Sequence, residues 1–104
     1  MKYYSTRDKK NVVTAAQAIV QGLSSDGGLF VPETIPPVTM AEISELCGSN
    51  YRERAVSIMG KYLEEFSEEE LRGFVNEAYS DNYDCAEIAP TRFVNKNTAV
   101  LELW

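Results

Sequence analysis

Thr14 is followed three residues on by Gln17, Thr39 by Glu42 and Ser67 by Glu70, while Asn50 stands at the head of a further apolar stripe. A Ser or Thr with Glu or Gln at the third following position is a capping box. Its two side chains satisfy backbone N–H groups that a helix start leaves unpaired. Asn50 can cap by itself. These signals divide a chain of 104 residues into short helices. Ala15, Ala16, Ile19, Val20 and Leu23 repeat at helical period and predict a helix over 15–23. Met40, Ile43 and Leu46 predict a second, ending at Gly48. Tyr51, Ala55, Ile58, Met59, Tyr62 and Leu63 form a third stripe, and Leu71, Phe74, Val75, Ala78 and Tyr79 the cleanest one. The acidic run EEFSEEE at 64–70 opens that last helix, where negative charge suits the positive end of the helix dipole. It reads as a helix start and a solvated face rather than as a functional acidic patch.

Elsewhere the period shortens. Tyr3-Tyr4-Ser5-Thr6 is a strand candidate closed by a turn at Lys9-Lys10-Asn11, and SDNYD at 80–84 reads as a loop. Thr91-Arg92-Phe93-Val94, Asn95-Lys96-Asn97 and 98–104 read as strand, turn and strand, with turn residues that tolerate left-handed backbone. A strand-forming run that ends on Trp104 without a polar closing turn suggests a piece of a longer protein. The expected fold class is α+β: about four helices packed on a few short strands, with a C-terminal hairpin. One domain accounts for 1–104, since a globule of this size hides roughly two thirds of its unfolded surface.

Charge narrows the partners. The net charge is −6, which repels a phosphate backbone, so nucleic acid is not expected as a partner. The cluster of Lys2, Arg7, Lys9 and Lys10 is short, interrupted by Asp8, and reads as a solvated strand end. Apolar runs fall far below the ~20 residues that cross a bilayer, and no apolar segment follows the basic start, so a cytoplasmic protein with no membrane partner is expected. There is no histidine, and Cys47 and Cys85 lack CxxC spacing, which argues against a metal site and against Ser-His or Cys-His nucleophiles. Reduced thiols are the expectation.

The stretch GLSSDGGLFVPETIPP, 22–37, admits two readings. A phosphate cradle needs glycines that lead into a helix, because the free N–H groups lie at the helix N-terminus. Here the order is reversed: Gly22 ends a helix, and Asp26-Gly27-Gly28 opens the strand Leu29-Phe30-Val31, which Pro32 cuts short. A plain turn fits. A contribution to a site stays open, because glycines beside Asp26 permit close backbone approach.

Taken together, YYSTR (3–7), AIVQGLSSDGGLFVPETIP (18–36), FSEEELRGFVNEAY (66–79), IAPTRF (88–93) and VLELW (100–104) resemble the N-terminal region of the threonine synthase family. GLSSDGGLFVP is the specific part, matching the family's GL-x-x-DGGL-[FY]-VP; STR and VLEL are weak alone. The resemblance implies the accessory N-terminal domain of a fold-type II pyridoxal-phosphate enzyme that converts O-phospho-L-homoserine and water to L-threonine and phosphate. It also implies that the cofactor lysine lies in HGPT-x-AFKD beyond Trp104. None of Lys2, Lys9, Lys10, Lys61 or Lys96 has that context.

Elimination of phosphate needs an electron sink that side chains do not supply, so these residues alone should be inert, with no catalytic residue and no bound cofactor. The partner implied is the pyridoxal-phosphate-binding domain of the same chain. Residues offered toward its active site are Ser5, Thr6, Arg7, Asp26, Gly27 and Gly28. Arg7 is the side chain suited to grip phosphate or carboxylate, with a surface or interdomain salt bridge as the alternative. Asp26 reads as a turn residue. Where the family writes STRG, this chain has Asp8, which removes the glycine's left-handed freedom and could pair with Arg7. Two rival readings are an acidic protein-interaction module and the N-terminal domain of another pyridoxal-phosphate-dependent eliminase.

Overall fold

A computed structural model describes residues 1–80, 83 and 87–103. Residues 81, 82, 84–86 and 104 lie outside the described residues, and with them most of the expected SDNYD loop, the thiol of Cys85 and the terminal Trp104. The elements run β1 (Lys2–Ser5), β2 (Val12–Thr14), α1 (Ala15–Gln21), β3 (Phe30–Pro32), α2 (Met40–Cys47), α3 (Tyr51–Gly60), α4 (Glu68–Ala78), β4 (Thr91–Asn95) and β5 (Thr98–Leu101). The architecture is α+β, with four helices, a small antiparallel sheet and a C-terminal hairpin.

All four helices start on reciprocal caps: Thr14 with Gln17, Thr39 with Glu42, Asn50 with Glu53 and Ser67 with Glu70. Ser67→Ala is expected to lower stability by about 1 kcal/mol, within the ~0.5–2 kcal/mol span of lost N-caps, as read from urea unfolding. A change indistinguishable from zero would mean that the start of α4 is held by packing alone. α1 stops at Gln21, two residues before the predicted end, because Gly22 turns left-handed at φ 72° and donates its N–H to the Ala18 carbonyl.

The strand β2 is not foreshadowed by any alternation, since Val12-Val13-Thr14 is too short to show one. It forms because the Asp8–Asn11 turn folds it back on β1, with Tyr3 opposite Val13. β3 pairs on the other side of β1, Ser5 opposite Phe30 and Tyr3 opposite Pro32, giving the order β2-β1-β3. Pro32 ends that strand as expected. In the β4–β5 turn the expected left-handed backbone is not used, since no described non-glycine residue has positive φ. Instead the Asn95 carboxamide oxygen accepts the Asn97 N–H at 2.9 Å, and a register shift falls between Phe93 and Asn95.

The helices do not share one sheet. α1 lies on β1 and β2, whereas α3 and α4 pack on each other around Val56, Leu71 and Val75, with Ala55, Met59, Leu63, Phe66 and Tyr79 around them. Phe66 meets Phe74 edge-on at 5.7 Å. The two layers are tied by polar contacts: Tyr3 Oη donates to the Tyr62 carbonyl at 2.9 Å, and Glu65 accepts the Ala15 N–H at 2.6 Å. Arg54 donates to the carbonyls of Leu46 and Cys47, closing the C-terminus of α2. The stripe of α1 does not become core as its period suggests. Ala15 is buried, but Ile19, Val20 and Leu23 are exposed.

Candidate functional site

The end of β1 and the turn between α1 and β3 close on each other, and all six residues singled out from the sequence meet there. Pairing of β1 with β3 sets Ser5 against Phe30. Beyond that pair the Thr6 N–H reaches the Leu29 carbonyl at 2.9 Å, while Thr6 Oγ1 accepts the Leu29 N–H at 3.0 Å. The buried Ser5 hydroxyl lies 2.8 Å from both carboxylate oxygens of Asp26 and donates to them, and it accepts the Arg7 N–H at 3.2 Å. Asp26 Oδ1 also accepts the Gly28 N–H at 2.8 Å, and the Asp26 carbonyl accepts Arg7 Nη1 at 3.0 Å. Gly27 sits at φ 76°, with the Arg7 guanidinium directly over it.

Ser24 is the member that sequence reasoning missed. It is buried, exchanges backbone hydrogen bonds with Gly27 and Gly28, and receives the Asn11 side chain at 2.8 Å. Nothing in the Ser24-Ser25 pair distinguishes the buried serine from the exposed one until the turn is closed.

This geometry assigns different chemistry to each group. The Gly28 N–H, then the Ser5 hydroxyl, hold Asp26 below its ordinary carboxyl value of 3.8, with smaller pulls from Ser24 and Arg7. Asp26 is therefore an anion with its acceptors occupied, a clasp and not a proton donor. The Ser5 hydroxyl proton is committed to that anion. Thr6 and Arg7 are exposed at this end, the Thr6 hydroxyl already accepting the Leu29 N–H and the Arg7 guanidinium lying over the turn. That side chain makes one hydrogen bond, to a backbone carbonyl, and no ion pair among the described residues. Asp8 does not engage it: its carboxylate accepts the Lys10 N–H at 2.9 Å and shapes the β1–β2 turn. A pinned cation beside a hydroxyl suits an oxyanion.

The clasp carries a pH signature. A carboxyl held lower in the folded than in the unfolded chain stabilises the fold above its ordinary value, and that stability is lost as pH falls through the folded value. Unfolding by urea should therefore become easier below about pH 4. Asp26→Asn should flatten part of that loss. The remainder belongs chiefly to Glu42, which Lys61 and the Thr39 cap pull from 4.5 to about 2. An identical acid profile in the variant would show that the clasp does not depend on the charge of Asp26.

A cofactor held as a lysine imine needs a sheltered lysine, and the lysines here do not fit that demand. Lys2, Lys9, Lys10 and Lys96 are exposed, with Lys9 over the Tyr4 ring at 5.6 Å. Lys61 is engaged by Glu42 and by the Pro37 carbonyl. Among the described residues no group of three His, Cys, Asp or Glu side chains is placed to hold a metal ion, and no helix is long and apolar enough to cross a membrane. Cys47 is an exposed free thiol.

Residues 2–79 match the family model described as the threonine synthase N terminus, a span that takes in the whole clasp. The chain belongs to the threonine synthase N-terminal family. It is 36% identical over 92 residues to mouse threonine synthase-like 1, covering 86% of this chain and 12% of that protein. It is 34% identical over 105 residues to threonine synthase of Pseudomonas aeruginosa, covering 100% of this chain and 22% of the relative. The solved structure of pyridoxal-phosphate-bound threonine synthase from Brucella melitensis superimposes with a TM-score of 0.85 at 32% identity, over 98% of this chain and 22% of that one. The chain thus spans less than a quarter of each of these relatives.

Proposed function

We propose that residues 1–104 are the N-terminal piece of a cytoplasmic threonine synthase, which converts O-phospho-L-homoserine and water to L-threonine and phosphate once joined to a lysine-bearing, pyridoxal-phosphate-binding domain. The observation that carries this reading is the family match over 2–79, inside which the Ser5-Thr6-Arg7 strand end is clasped to Asp26-Gly27-Gly28. In this reading the piece supplies no catalytic group and binds no cofactor by itself. It presents Thr6 and Arg7 to the active-site side, with Arg7 contacting the substrate's phosphate or carboxylate. Ser5, Asp26, Gly27 and Gly28 hold that arm in place.

A second reading, another pyridoxal-phosphate-dependent eliminase, is favoured by the mouse relative, whose name is threonine synthase-like and not threonine synthase. The complete protein assayed with O-phospho-L-homoserine and with O-phospho-L-serine separates the two; no threonine from the former removes the first reading. The 104-residue chain alone should form no threonine and, after incubation with pyridoxal phosphate and dialysis, retain no visible imine absorbance. In the complete enzyme Arg7→Ala should reduce kcat/KM for O-phospho-L-homoserine by about 10- to 100-fold, the worth of one charge-assisted contact. An unchanged kcat/KM would confine Arg7 to bracing the Asp26 turn.

A further inference from the structure

The amino group of Met1 sits among three carboxylates where the sheet meets the helical layer. It forms an ion pair with Glu64, in the segment between α3 and α4, and the Met1 side chain is only 6% exposed, so packing as well as charge holds the ammonium in place. Glu33, just past β3, and Glu65 add their charges. Both are fixed by backbone: Glu33 accepts the Lys2 N–H at 2.9 Å and returns its own N–H to the Lys2 carbonyl at 2.9 Å, while Glu65 accepts the Ala15 N–H. Among the described residues the Met1 ammonium is the only cation paired with any of the three. Without its charge they stand around the seam as uncompensated like charges.

We propose that the α-amino group of Met1 is a structural cation and a modification-sensitive site, and that its acetylation loosens the sheet from the helical layer. Transfer from an acetyl thioester forms the amide C–N bond, breaks the C–S bond and frees the thiol and a proton, leaving a nitrogen without charge. Because β1 runs on from Met1 to Ser5, which grips Asp26, the same charge steadies the strand that carries the clasp. The Glu64 hydrogen bond, opposed in part by desolvation and joined by the charges of Glu64, Glu33 and Glu65, raises the amine above its ordinary value of 8.0. Its contribution is therefore full below that value and is lost as pH rises through the folded one. The phenols of Tyr3 and Tyr62, also at the seam, are common to the free and acetylated chains, so the difference between the two forms isolates the amine.

Ligation of a 1–46 peptide, with its amine free or acetylated, to 47–104 at Cys47 gives both forms of the 104-residue chain for urea unfolding. At pH 7 and low salt the acetylated form should have an unfolding equilibrium constant about two- to fivefold larger, the size expected of an exposed ion pair. The gap should narrow in high salt, narrow in Glu64→Gln, and close as pH rises beyond the folded value of the amine. Equal stability of the two forms at pH 7 overturns the proposal. So does a gap that is undiminished in Glu64→Gln or at alkaline pH, since either would trace the effect to the bulk of the acetyl group and not to the lost charge.

Discussion

Leu71→Ala is expected to destabilise the helical layer by about 2–5 kcal/mol, the range for emptying a buried leucine site. Leu71 is 2% exposed and sits with Val56 and Val75 where α3 meets α4, so truncation removes the centre of the small cluster that joins the two helices. Gly60 on α3 faces the Leu71 side chain, a Cβ there falling 3.7 Å from Leu71 Cδ1, so the truncation removes contacts to both helices. Urea unfolding followed by helical circular dichroism reads the effect directly. A loss below about 1 kcal/mol, the level of an ordinary surface change, would mean that this cluster is not the core. The clasp should suffer only indirectly, because α1 and its sheet are tied to the helical layer through polar contacts of Tyr3 and Glu65 and the ion pair of the Met1 amino group with Glu64.

Gly28→Ala is the second large effect, and it acts on the clasp itself. A methyl group at Gly28 would overlap the Ser5 hydroxyl and stand 3.0 Å from Asp26 Oδ1 and 3.1 Å from Thr6 Oγ1. Ser5 is fully buried and cannot swing aside, so the turn must open, at a cost of about 1–3 kcal/mol for overpacking a filled site. In a complete synthase the same substitution should lower kcat/KM through a displaced Arg7, with Ser5→Gly in the same chain partly restoring both stability and activity. Full tolerance of alanine, with unchanged urea midpoint, would refute the close approach. Gly27 is constrained for a different reason: its φ of 76° is a conformation that L side chains rarely adopt.

The sequence was most legible where the forces act within one or two turns of chain. Every helix start is decided by a cap and a partner three residues on, and among the described residues Gly22 and Gly27 are the positions where the backbone takes φ above zero. The same locality explains what could not be read. β2 has three residues and no period of its own; only its pairing with β1 makes it a strand. The apolar stripe of α1 announces a buried face but not what buries it, and Ile19, Val20 and Leu23 remain exposed in this chain.

The candidate site divides along the same line. Asp26 could be read as a turn aspartate from its immediate glycine neighbours, whereas Arg7 stood out as a candidate anion contact only through the family resemblance, its charge cluster by itself reading as a solvated strand end. That Ser5 and Asp26, 21 residues apart, share a hydrogen bond was settled by the register of β1 on β3, whereas the β1–β2 turn engages Asp8 through the Lys10 N–H and brings Asn11 onto the buried Ser24. Caps, turns and periods are local and so are written in consecutive residues. Which polar groups converge, and which apolar faces are left for other polypeptide to cover, depends on contacts between segments far apart in the chain, and no short stretch encodes those.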